Sequence, residues 1–569
     1  MAAEGIIELP SRATVALPPV PGAEDEALGQ ALGLSPTVAQ WLKRRGLDDR
    51  AAAVRFLQPR LADLTPPDGM AGRRAAAQRL AEAVQAGETV CVFGDYDCDG
   101  ITATAIMTEV LRTLGASAVP LLASRFDGGY GVSDSAVARI LATNAKLIIT
   151  CDCGSSDHQS LQRLADAGRD VVVIDHHLVP EQALPALAFL NPHREDCLFS
   201  FKGLASCGLA LSVGAALRTE LGVPLDLRRW LDLVAIGTIA DVAPLARDNR
   251  ALVRAGLVSL SAGSRPGVRA LLRLAGHEPG EPLNAEDVAF RIAPRLNAPG
   301  RLGRPDLALD LLLARDSATA DALATRIEEL QVERRRLQDV ILQEACEEID
   351  REGYSHRPAI VIGRENWNHG IVGIVAGRLA ERYHRPVIVV GFEGSHGRGS
   401  LRGPRGIELF DALKLAAPAL VRFGGHQAAA GLEVTEQALP KLRELFENAC
   451  EPLLYNSHSL PAPEQLLRMH PNDAPWQVQE DLCQLEPCGE GNPAPRLALE
   501  GEVLRARSVR GGHLKLELRA SGHDVGGFGV SMGALAEHVV GPVVVIGTLR
   551  RDRWRGGRAV EIRAEAILR

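Results

Sequence analysis

Several common features are missing from this sequence. No window of the 569 residues approaches the run of about 18 uncharged apolar residues that a membrane-spanning helix needs. The first residues, MAAEGIIELPSR, have no basic start followed by an apolar core, so no secretory signal is visible. Cysteine is too sparse, at ten scattered residues, for a disulfide scaffold. These absences predict a cytoplasmic protein with reduced thiols and no membrane association.

Lysine and aromatic residues are also scarce. Lysine accounts for only 6 of the 63 basic residues, and aromatic residues for 4% of the chain. Nearly every cationic contact must therefore be made by an arginine guanidinium. The net charge is −8, so the chain as a whole is not a polycation. Positive charge is concentrated locally, because residues 501–569 carry 12 Lys and Arg against 7 Asp and Glu.

Length and composition indicate several globular domains. With 46% hydrophobic and 24% charged residues, the chain can build several cores and is not a disordered protein. At roughly 100–200 residues per domain, about three to five domains are expected. Changes in sequence pattern predict a helical N-terminal arm, a first α/β domain, a connecting helix, a second α/β domain, and a linker followed by a β-barrel, at residues 1–85, 86–315, 316–351, 352–455 and 456–569.

The first α/β domain is predicted from short β-branched runs that alternate with helical patterns. Runs at 89–93, 118–123, 147–151 and 171–174 have the composition of buried strands. Their alternation with helices is typical of a parallel sheet covered on both faces. Residues 316–350 contain no Gly or Pro and keep apolar residues at helical spacing, which predicts a long connecting helix.

The second α/β domain is predicted from a strand at 359–362, a helix at 371–383 and a strand at 387–390. Gly-rich loops are expected from there to about residue 450. Residues 456–480 are polar and contain proline, which predicts a linker. Alternating apolar residues over 497–569 predict a small β-barrel.

Acidic residues and histidines follow several predicted strands of the first domain. Because ligands of open α/β sheets bind beyond the carboxyl ends of the strands, we expect these side chains to converge. So many carboxylates repel one another unless a cation lies among them. Oxygen ligands combined with imidazole nitrogen suit Mn²⁺ or Mg²⁺, and the set is large enough for two ions. The candidates that follow strands are Asp95, Asp97, Asp99, Asp152, Asp175, His176 and His177, and a further carboxylate, Asp241, lies between predicted helices.

Four motifs in this region resemble those of a known superfamily. GDYDCDGITAT, CDCGSS, VIDHH and GTIADVAPL, in this order, are similar to the four motifs of the DHH phosphoesterases. From about residue 86 to the end, other segments resemble the RecJ branch of that superfamily: RFDGGYG, ASCGLAL, PRLNAPGRLG, NWNHGIVGIVAGRL, RGSLRG, FGGHQAAAG and PCGEGNPAP. The resemblance implies an α/β fold with a parallel-sheet DHH domain, a long connecting helix, a second α/β DHH-associated domain and a C-terminal OB-like β-barrel.

The resemblance also implies an activity. Members of this branch are single-stranded-DNA-specific 5′→3′ exonucleases, which release 5′-mononucleotides by two-metal-ion catalysis in DNA recombination and repair. Mn²⁺ or Mg²⁺ is the implied cofactor. Single-stranded DNA is the implied substrate, and single-strand-binding protein and a RecQ-type helicase are the suggested protein partners.

Roles for single residues follow from the same resemblance. The implied metal ligands are Asp97, Asp99, Asp152, His176, His177 and Asp241. Asp95 would support this site, and Asp175 would orient an imidazole. His426 of the GGH loop would meet the scissile phosphate. The implied phosphate contacts are Arg125, Ser400 and Arg402 for the 5′ end and Arg301 for the strand backbone.

Three residues depart from the family pattern. Cys153 stands where Asn is usual, which puts in doubt a hydrogen bond near the metal. Pro299 stands in the loop that carries Arg301 and is expected to stiffen it. Gly403 stands where Ser is common.

Other residues leave two interpretations open. Trp367 and His369 are expected either to stack on bases or to pack in the hinge. Tyr130 is expected in the core rather than as a stacking platform. The barrel segment has only Phe528 and Trp554 as aromatic residues, so we expect it to bind DNA mainly by electrostatic contacts. The alternative is a basic β-module that only packs on the rest of the enzyme.

Two other functions compete with the exonuclease. A small-substrate DHH phosphoesterase, acting on pyrophosphate, cyclic dinucleotides or very short RNA, would need neither the basic tail nor the RecJ-like segments. A non-catalytic scaffold is disfavoured because every implied ligand is present.

Overall fold

The computed structural model describes residues 17–404, 407, 409–426, 429–455, 465–552 and 555–568. No helix in these residues is long and apolar enough to cross a membrane. The helices are α1 (Ala23–Leu32), α2 (Pro36–Arg44), α3 (Arg50–Leu57), α4 (Arg73–Gln85), α5 (Cys98–Thr113), α6 (Asp134–Ala142), α7 (His158–Asp166), α8 (Ser206–Leu221), α9 (Leu231–Ala240), α10 (Arg247–Ala262), α11 (Pro266–Leu274), α12 (Ala285–Asp287), α13 (Ala293–Arg301), α14 (Asp306–Leu313), α15 (Ser317–Glu352), α16 (Val372–Tyr383), α17 (Leu409–Leu415), α18 (Leu439–Tyr455) and α19 (Pro475–Cys483).

The strands form three sheets. Their bounds are β1 (Thr89–Gly94), β2 (Ser117–Leu122), β3 (Leu147–Cys151), β4 (Asp170–Ile174), β5 (Ala188–Leu190), β6 (Ile360–Glu365), β7 (Val387–Glu393), β8 (His396–Arg402), β9 (Arg422–His426), β10 (Ala429–Thr435), β11 (Leu466–Arg468), β12 (Arg496–Val509), β13 (His513–Ala520), β14 (His523–Gly529), β15 (Gly541–Arg551) and β16 (Val560–Leu568).

The first sheet is parallel throughout, in the order β2-β1-β3-β4-β5. Alternate residues of β1 enter two different cores: Val90 and Val92 pack under α4, α5 and α8, whereas Cys91 and Phe93 pack under α6 and α7. Because both faces are buried, the strands are apolar on both faces over most of their length. The predicted parallel sheet with two covered faces is confirmed.

The connecting helix is also as predicted. α15 begins where the Asp316 carboxylate accepts the Thr319 N–H at 2.8 Å, and it ends at Gly353 in the left-handed conformation. Its 36 residues span about 54 Å. Ile341, Ala345 and Ile349 pack against α16 and one face of the second sheet, so the helix is part of that domain's core.

The second sheet has the order β6-β7-β8-β10-β9, and only β6 and β7 run parallel. The expectation of Gly-rich loops after 390 was wrong, because RGSLR lies in β8 and FGGH lies in β9. Glycines at alternate positions hide a strand pattern, since they supply no side chain to show which face is buried.

The C-terminal barrel is closed by pairing of β12 with β15. The expected linker at 456–480 was wrong in its second half, where β11 and α19 occur; residues 456–464 lie outside the described residues. The N-terminal arm packs on this barrel. Val38, Trp41 and Leu42 share a core with Leu497 and Leu514.

Candidate metal centre and phosphate-binding cleft

Three neighbouring strands of the first sheet are each followed directly by an aspartate. Asp95, Asp152 and Asp175 directly follow β1, β3 and β4. The backbone N–H of each still donates to the neighbouring strand, at 3.1, 2.9 and 3.0 Å respectively. All three are buried. The sheet itself therefore sets these carboxylates side by side at its carboxyl edge.

Two more aspartates are fixed by helix starts. Asp97 is the N-cap of α5, where its carboxylate accepts the N–H groups of Asp99 and Gly100 at 3.1 and 3.3 Å. Asp99 lies in the first turn, and its carboxylate accepts the N–H groups of Ser206 and Cys207 at 2.7 and 3.0 Å. These two donors begin α8, whose positive end favours a negative charge there.

His176 lies at the centre of the acidic side chains. Its Nε2 is 3.2 Å from Asp152 Oδ1, 3.6 Å from Asp241 Oδ2 and 3.9 Å from Asp99 Oδ2. This nitrogen is buried and has no hydrogen-bond partner among the described residues. Burial lowers the pKa of His176, although Asp99 opposes the shift. A neutral imidazole whose nitrogen points at carboxylates is suited to bind a metal ion.

His177 is held by Asp175. The Nδ1 of His177 lies 2.7 Å from Asp175 Oδ1 and 3.0 Å from the Tyr130 hydroxyl. Burial by itself raises the pKa of Asp175, but hydrogen bonds from His177 and Ser155 overcome it and lower that pKa to about 2. Burial lowers the pKa of His177, and Asp175 more than offsets this, raising it to about 9.

The site carries more negative charge than its protein surroundings balance. Burial, followed by Asp99 and Asp97, raises the pKa of Asp241 to about 9 and that of Asp152 well above its usual range. Buried Asp95 Oδ1 has no hydrogen-bond partner within the described part of the chain. A divalent cation would supply the missing charge, so the residues fit such an ion. Three overlapping groups have ligand atoms within 4.8 Å of one another: Asp152, His176 and His177; Asp99, His176 and Asp241; and Asp95, Asp97 and Asp152.

Beside this acidic centre lies a cluster of arginines from both domains, since Arg125 acts on Asp95 and Asp97 acts on Arg301. The Arg125 guanidinium stacks 4.0 Å above the Tyr96 ring. Arg402 donates to Ser400 Oγ at 2.9 Å. Burial, followed by Arg125, Arg334 and Arg402, lowers the pKa of Arg301 to about 9. Like charges held this close point to an anionic ligand.

Two arginine hydrogen bonds at this cluster also connect the two α/β domains. Arg301 donates to the Gly370 carbonyl at 3.1 Å, and Arg398 donates to the Arg125 carbonyl at 3.2 Å. A Cβ on Gly373 would lie 3.1 Å from Ser400 Oγ, so the absence of a side chain at Gly373 keeps space open beside the Ser400 hydroxyl. His426 ends β9, and its side chain lies outside the described residues.

The structure corrects one local expectation and decides between others. Arg301 does not lie in a loop: it is the last residue of α13, and Pro299 lies inside that helix. Trp367 is buried and donates to Glu344 of α15 at 2.8 Å, so it packs in the hinge. A Cβ on Gly403 would lie 2.4 Å from Leu409 Cδ1, which explains why a serine does not fit without local movement. Cys153 is buried in the core under α6 and α7.

Three residues that contact the metal centre were not assigned to it from the sequence. Tyr130 was expected in the core, but it is 44% exposed and its hydroxyl contacts His177. Ser206 donates to Asp152 Oδ1 at 3.1 Å, and Asn191 donates to the His177 carbonyl at 2.8 Å. A buried carboxylate requires donors, but nothing in the sequence shows which of many hydroxyls and amides supplies them.

Comparison with known families agrees with this architecture. The family model "DHH family, N-terminal domain" matches residues 89–238, the "DHHA1 domain" matches residues 357–451, and the "RecJ OB domain" matches residues 467–566.

Curated relatives cover most of the chain. The single-stranded-DNA-specific exonuclease RecJ of Bacillus subtilis is 34% identical, over 94% of this chain and 68% of its own length. RecJ of Thermus thermophilus is 37% identical, over 88% and 72%. RecJ of Escherichia coli is 32% identical, over 95% and 96%.

Solved structures extend the likeness to the fold. RecJ of Thermus thermophilus in complex with Mn²⁺ superposes with a TM-score of 0.81 at 34% identity, covering 98% of this chain and 79% of that one. The complex of RecJ from the same organism with Mg²⁺ has a TM-score of 0.74 at 32% identity, covering 98% and 78%.

Proposed function

Because this chain belongs to the RecJ family of DHH phosphoesterases, we propose that it is a metal-dependent exonuclease that degrades single-stranded DNA from the 5′ end to 5′-mononucleotides. One observation carries the proposal: the carboxylates and two histidines of one sheet edge face arginines drawn from both α/β domains. We assign hydrolysis to residues 86–315 and 352–455, and further DNA binding to residues 456–569.

The ion-binding residues in this proposal are those that converge at the sheet edge. We assign Asp97, Asp99, Asp152, His176, His177 and Asp241 as ligands of two Mn²⁺ or Mg²⁺ ions. Such ions, when bound, supply positive charge for the phosphoryl oxygens and lower the pKa of a bound water. The relatives crystallised with Mn²⁺ and with Mg²⁺ support both metals.

The chain's own residues prepare this site. Asp175 fixes the ring orientation of His177 through the 2.7 Å contact to Nδ1, which leaves Nε2 as the ligand atom. Ser206 and the start of α8 hold Asp152 and Asp99 in place. Asp95 adds negative charge beside Asp97 and Asp152. The site is preorganised because these contacts come from strand ends and helix starts rather than from free loops.

The arginine cluster selects the strand end in this proposal. Arg125, Ser400 and Arg402 bind the 5′-terminal phosphate, and Arg301 binds the backbone phosphate nearer the metal centre. A terminal phosphate monoester carries about one more negative charge than an internal diester. His426 of β9 is assigned to the scissile phosphate.

The barrel offers a second DNA contact. Arg507, Lys515, Phe528 and Arg563 lie directly opposite one another on four adjacent strands. Lys515 is paired with Glu561, so the two arginines and the ring between them would carry the contact, binding a single strand through phosphates and one stacked base. Arg553 and Trp554 of the same barrel lie outside the described residues.

Cellular context is part of the proposal. A role in recombination and repair, and contacts with single-strand-binding protein and a RecQ-type helicase, are expected from the family role. The cytoplasm, where chromosomal DNA of a bacterium lies, is the expected compartment.

The decisive assay uses three substrates. End-labelled 5′-phosphorylated single-stranded DNA, a blunt duplex of the same sequence and a cyclic dinucleotide are each incubated with Mn²⁺, with Mg²⁺ and with chelator. We expect the 5′ label to appear first in a mononucleotide. This release should occur with the single-stranded substrate but not with the duplex, and it should require Mn²⁺ or Mg²⁺. Faster hydrolysis of the cyclic dinucleotide would instead identify a small-substrate phosphoesterase, and no hydrolysis of any substrate would identify a scaffold.

A further inference from the structure

Val242 has an unfavourable backbone conformation beside the metal centre. It follows Asp241 directly and has a φ of 59°, in the left-handed region. A β-branched residue is a genuine outlier in that region, because its Cβ substituents crowd the backbone. The conformation therefore costs stability relative to glycine or asparagine.

The fold explains the conformation but not the residue. Val242 terminates α9: its N–H donates to the Ile239 carbonyl, and the Ala243 N–H donates to the Thr238 carbonyl, both at 3.2 Å. Helix ends of this kind favour glycine. The same pair of bonds ends other helices on a left-handed glycine, for example at Gly33, Gly115, Gly222 and Gly276.

Packing does not compensate for the strain. Val242 is 65% exposed, so its side chain contributes little to a core. Leu178, which follows His177, is 68% exposed. Two apolar side chains are thus exposed to solvent immediately after two groups of the metal centre.

We propose that Val242 is a substrate-positioning residue, whose side chain packs against the apolar surface of the nucleotide next to the scissile phosphate. Leu178 extends the same apolar rim. Phosphate oxygens can be held by cations and arginines alone, but those groups do not fix the rotation of the nucleotide about its phosphate. An apolar wall beside Asp241 restricts that rotation, and strained residues persist where the site needs them. This inference rests on the proposed nuclease function.

The test combines activity with stability. Val242→Gly and Val242→Asn both suit the left-handed conformation and remove the wall. We expect the melting temperature of each variant to stay the same or rise, whereas kcat/KM on single-stranded DNA falls about tenfold. Val242→Ile keeps the wall and should retain activity. His384→Gly is the matched control, because His384 ends α16 in the same conformation with a φ of 50° and is exposed.

Two further measurements identify the mechanism. Mn²⁺ affinity, measured by electron paramagnetic resonance, should be unchanged in Val242→Gly, because the wall touches the nucleotide and not the ligands. Substrates with an abasic site at the cleaved position distinguish contact with the base from contact with the deoxyribose. If Val242 contacts the base, wild type and Val242→Gly should cleave the abasic strand at the same rate. If Val242 contacts the deoxyribose, the variant should remain slower than wild type on that strand.

Different results would overturn the nuclease function and the role of Val242. A wild-type protein without single-strand nuclease activity removes the proposed function itself. An active wild type with Val242→Gly within twofold of it, a fall in melting temperature, or a parallel loss of Mn²⁺ affinity each removes the role of Val242 and leaves the nuclease assignment intact.

Discussion

The acidic edge of the first sheet and the arginine cluster of the cleft both concentrate one sign of charge, but they are built differently. The acidic residues are fixed by backbone: each follows a strand or begins or ends a helix, within one domain. The arginines reach their places on long side chains that come from two domains. The first site is therefore complete before the domains meet, whereas the second exists only when they are together. Metal binding and end recognition should accordingly respond to different perturbations.

The largest effect should come from removing charge at the acidic edge. Asp97→Asn keeps the N-cap of α5, since Asn caps as well as Asp, but it loses one negative charge. We expect kcat to fall about 10³-fold, because several kcal/mol of Lewis-acid stabilisation are lost, while single-strand binding stays within a few-fold.

Steady-state hydrolysis and a filter-binding assay measure the two quantities. Asp226→Ala is the control, because Asp226 is an exposed carboxylate that is paired with Arg228. If Asp97→Asn retained activity within about tenfold of wild type, the assignment of the metal centre would be wrong.

The second effect tests the arginine cluster. Arg402→Ala should reduce the rate on 5′-phosphorylated strands about 10–150-fold more than on 5′-hydroxyl strands, because a charge-assisted contact of about 1.5–3 kcal/mol is lost. Initial rates on the two strands give the ratio.

Arg351→Ala, which removes an exposed arginine that is paired with Glu352, is the control for general loss of positive charge. An equal loss on both strands would mean that Arg402 grips the backbone and that another group recognises the end.

A third effect distinguishes the acidic edge from the arginine cluster by the pH dependence of Mn²⁺ affinity. The raised pKa of Asp241, about 9, means that the metal-free folded state holds protons that the unfolded state releases near pH 4. The metal-free free energy of unfolding should therefore fall as pH rises from about 4 to 9. Since Mn²⁺ must displace these protons, its affinity should rise with pH up to about 9, by up to roughly tenfold per pH unit for each proton displaced.

Calorimetric Mn²⁺ titrations at several pH values measure this slope. Asp241→Asn should flatten it, whereas Arg402→Ala should leave it unchanged. Mn²⁺ affinity that is independent of pH over this range would contradict the electrostatic account.

The smallest effect concerns the barrel. Arg507→Ala and Arg563→Ala should each lower the log–log salt slope of single-strand binding by roughly 0.7, because one phosphate contact is lost. Arg519→Ala is the control, since Arg519 is paired with Asp524. An unchanged salt slope in both variants would mean that Arg507 and Arg563 do not contact DNA.

Sequence reasoning was most successful where backbone geometry fixes the side chains. Asp95, Asp152 and Asp175 could be placed together because parallel strands end at one edge. Asp241, which ends a helix rather than a strand, was also among the candidates, but its role as a metal ligand came from the family resemblance.

Contacts that depend on tertiary packing were missed. Ser206 and Tyr130 touch the site through side chains whose partners lie tens of residues away. The strands β8 to β10 were mistaken for loops, because glycine-rich strands lack the alternation by which strands are identified. The metal ligands and phosphate contacts assigned here stay predictions until the variants above are measured.

The shared core of the first helices and the barrel has a consequence for synthesis. The Ser35 N–H donates to the Asp481 carboxylate at 2.7 Å, and the Thr37 hydroxyl donates to the Asp473 carboxylate at 2.6 Å. At about 5–20 residues per second, a ribosome takes roughly 20–90 seconds to add the residues between these partners. Throughout that time Trp41 and Leu42 have no barrel to cover them. A nascent chain should therefore expose the apolar side chains of α2, where chaperones can bind them, until the last strands of the barrel have been synthesised.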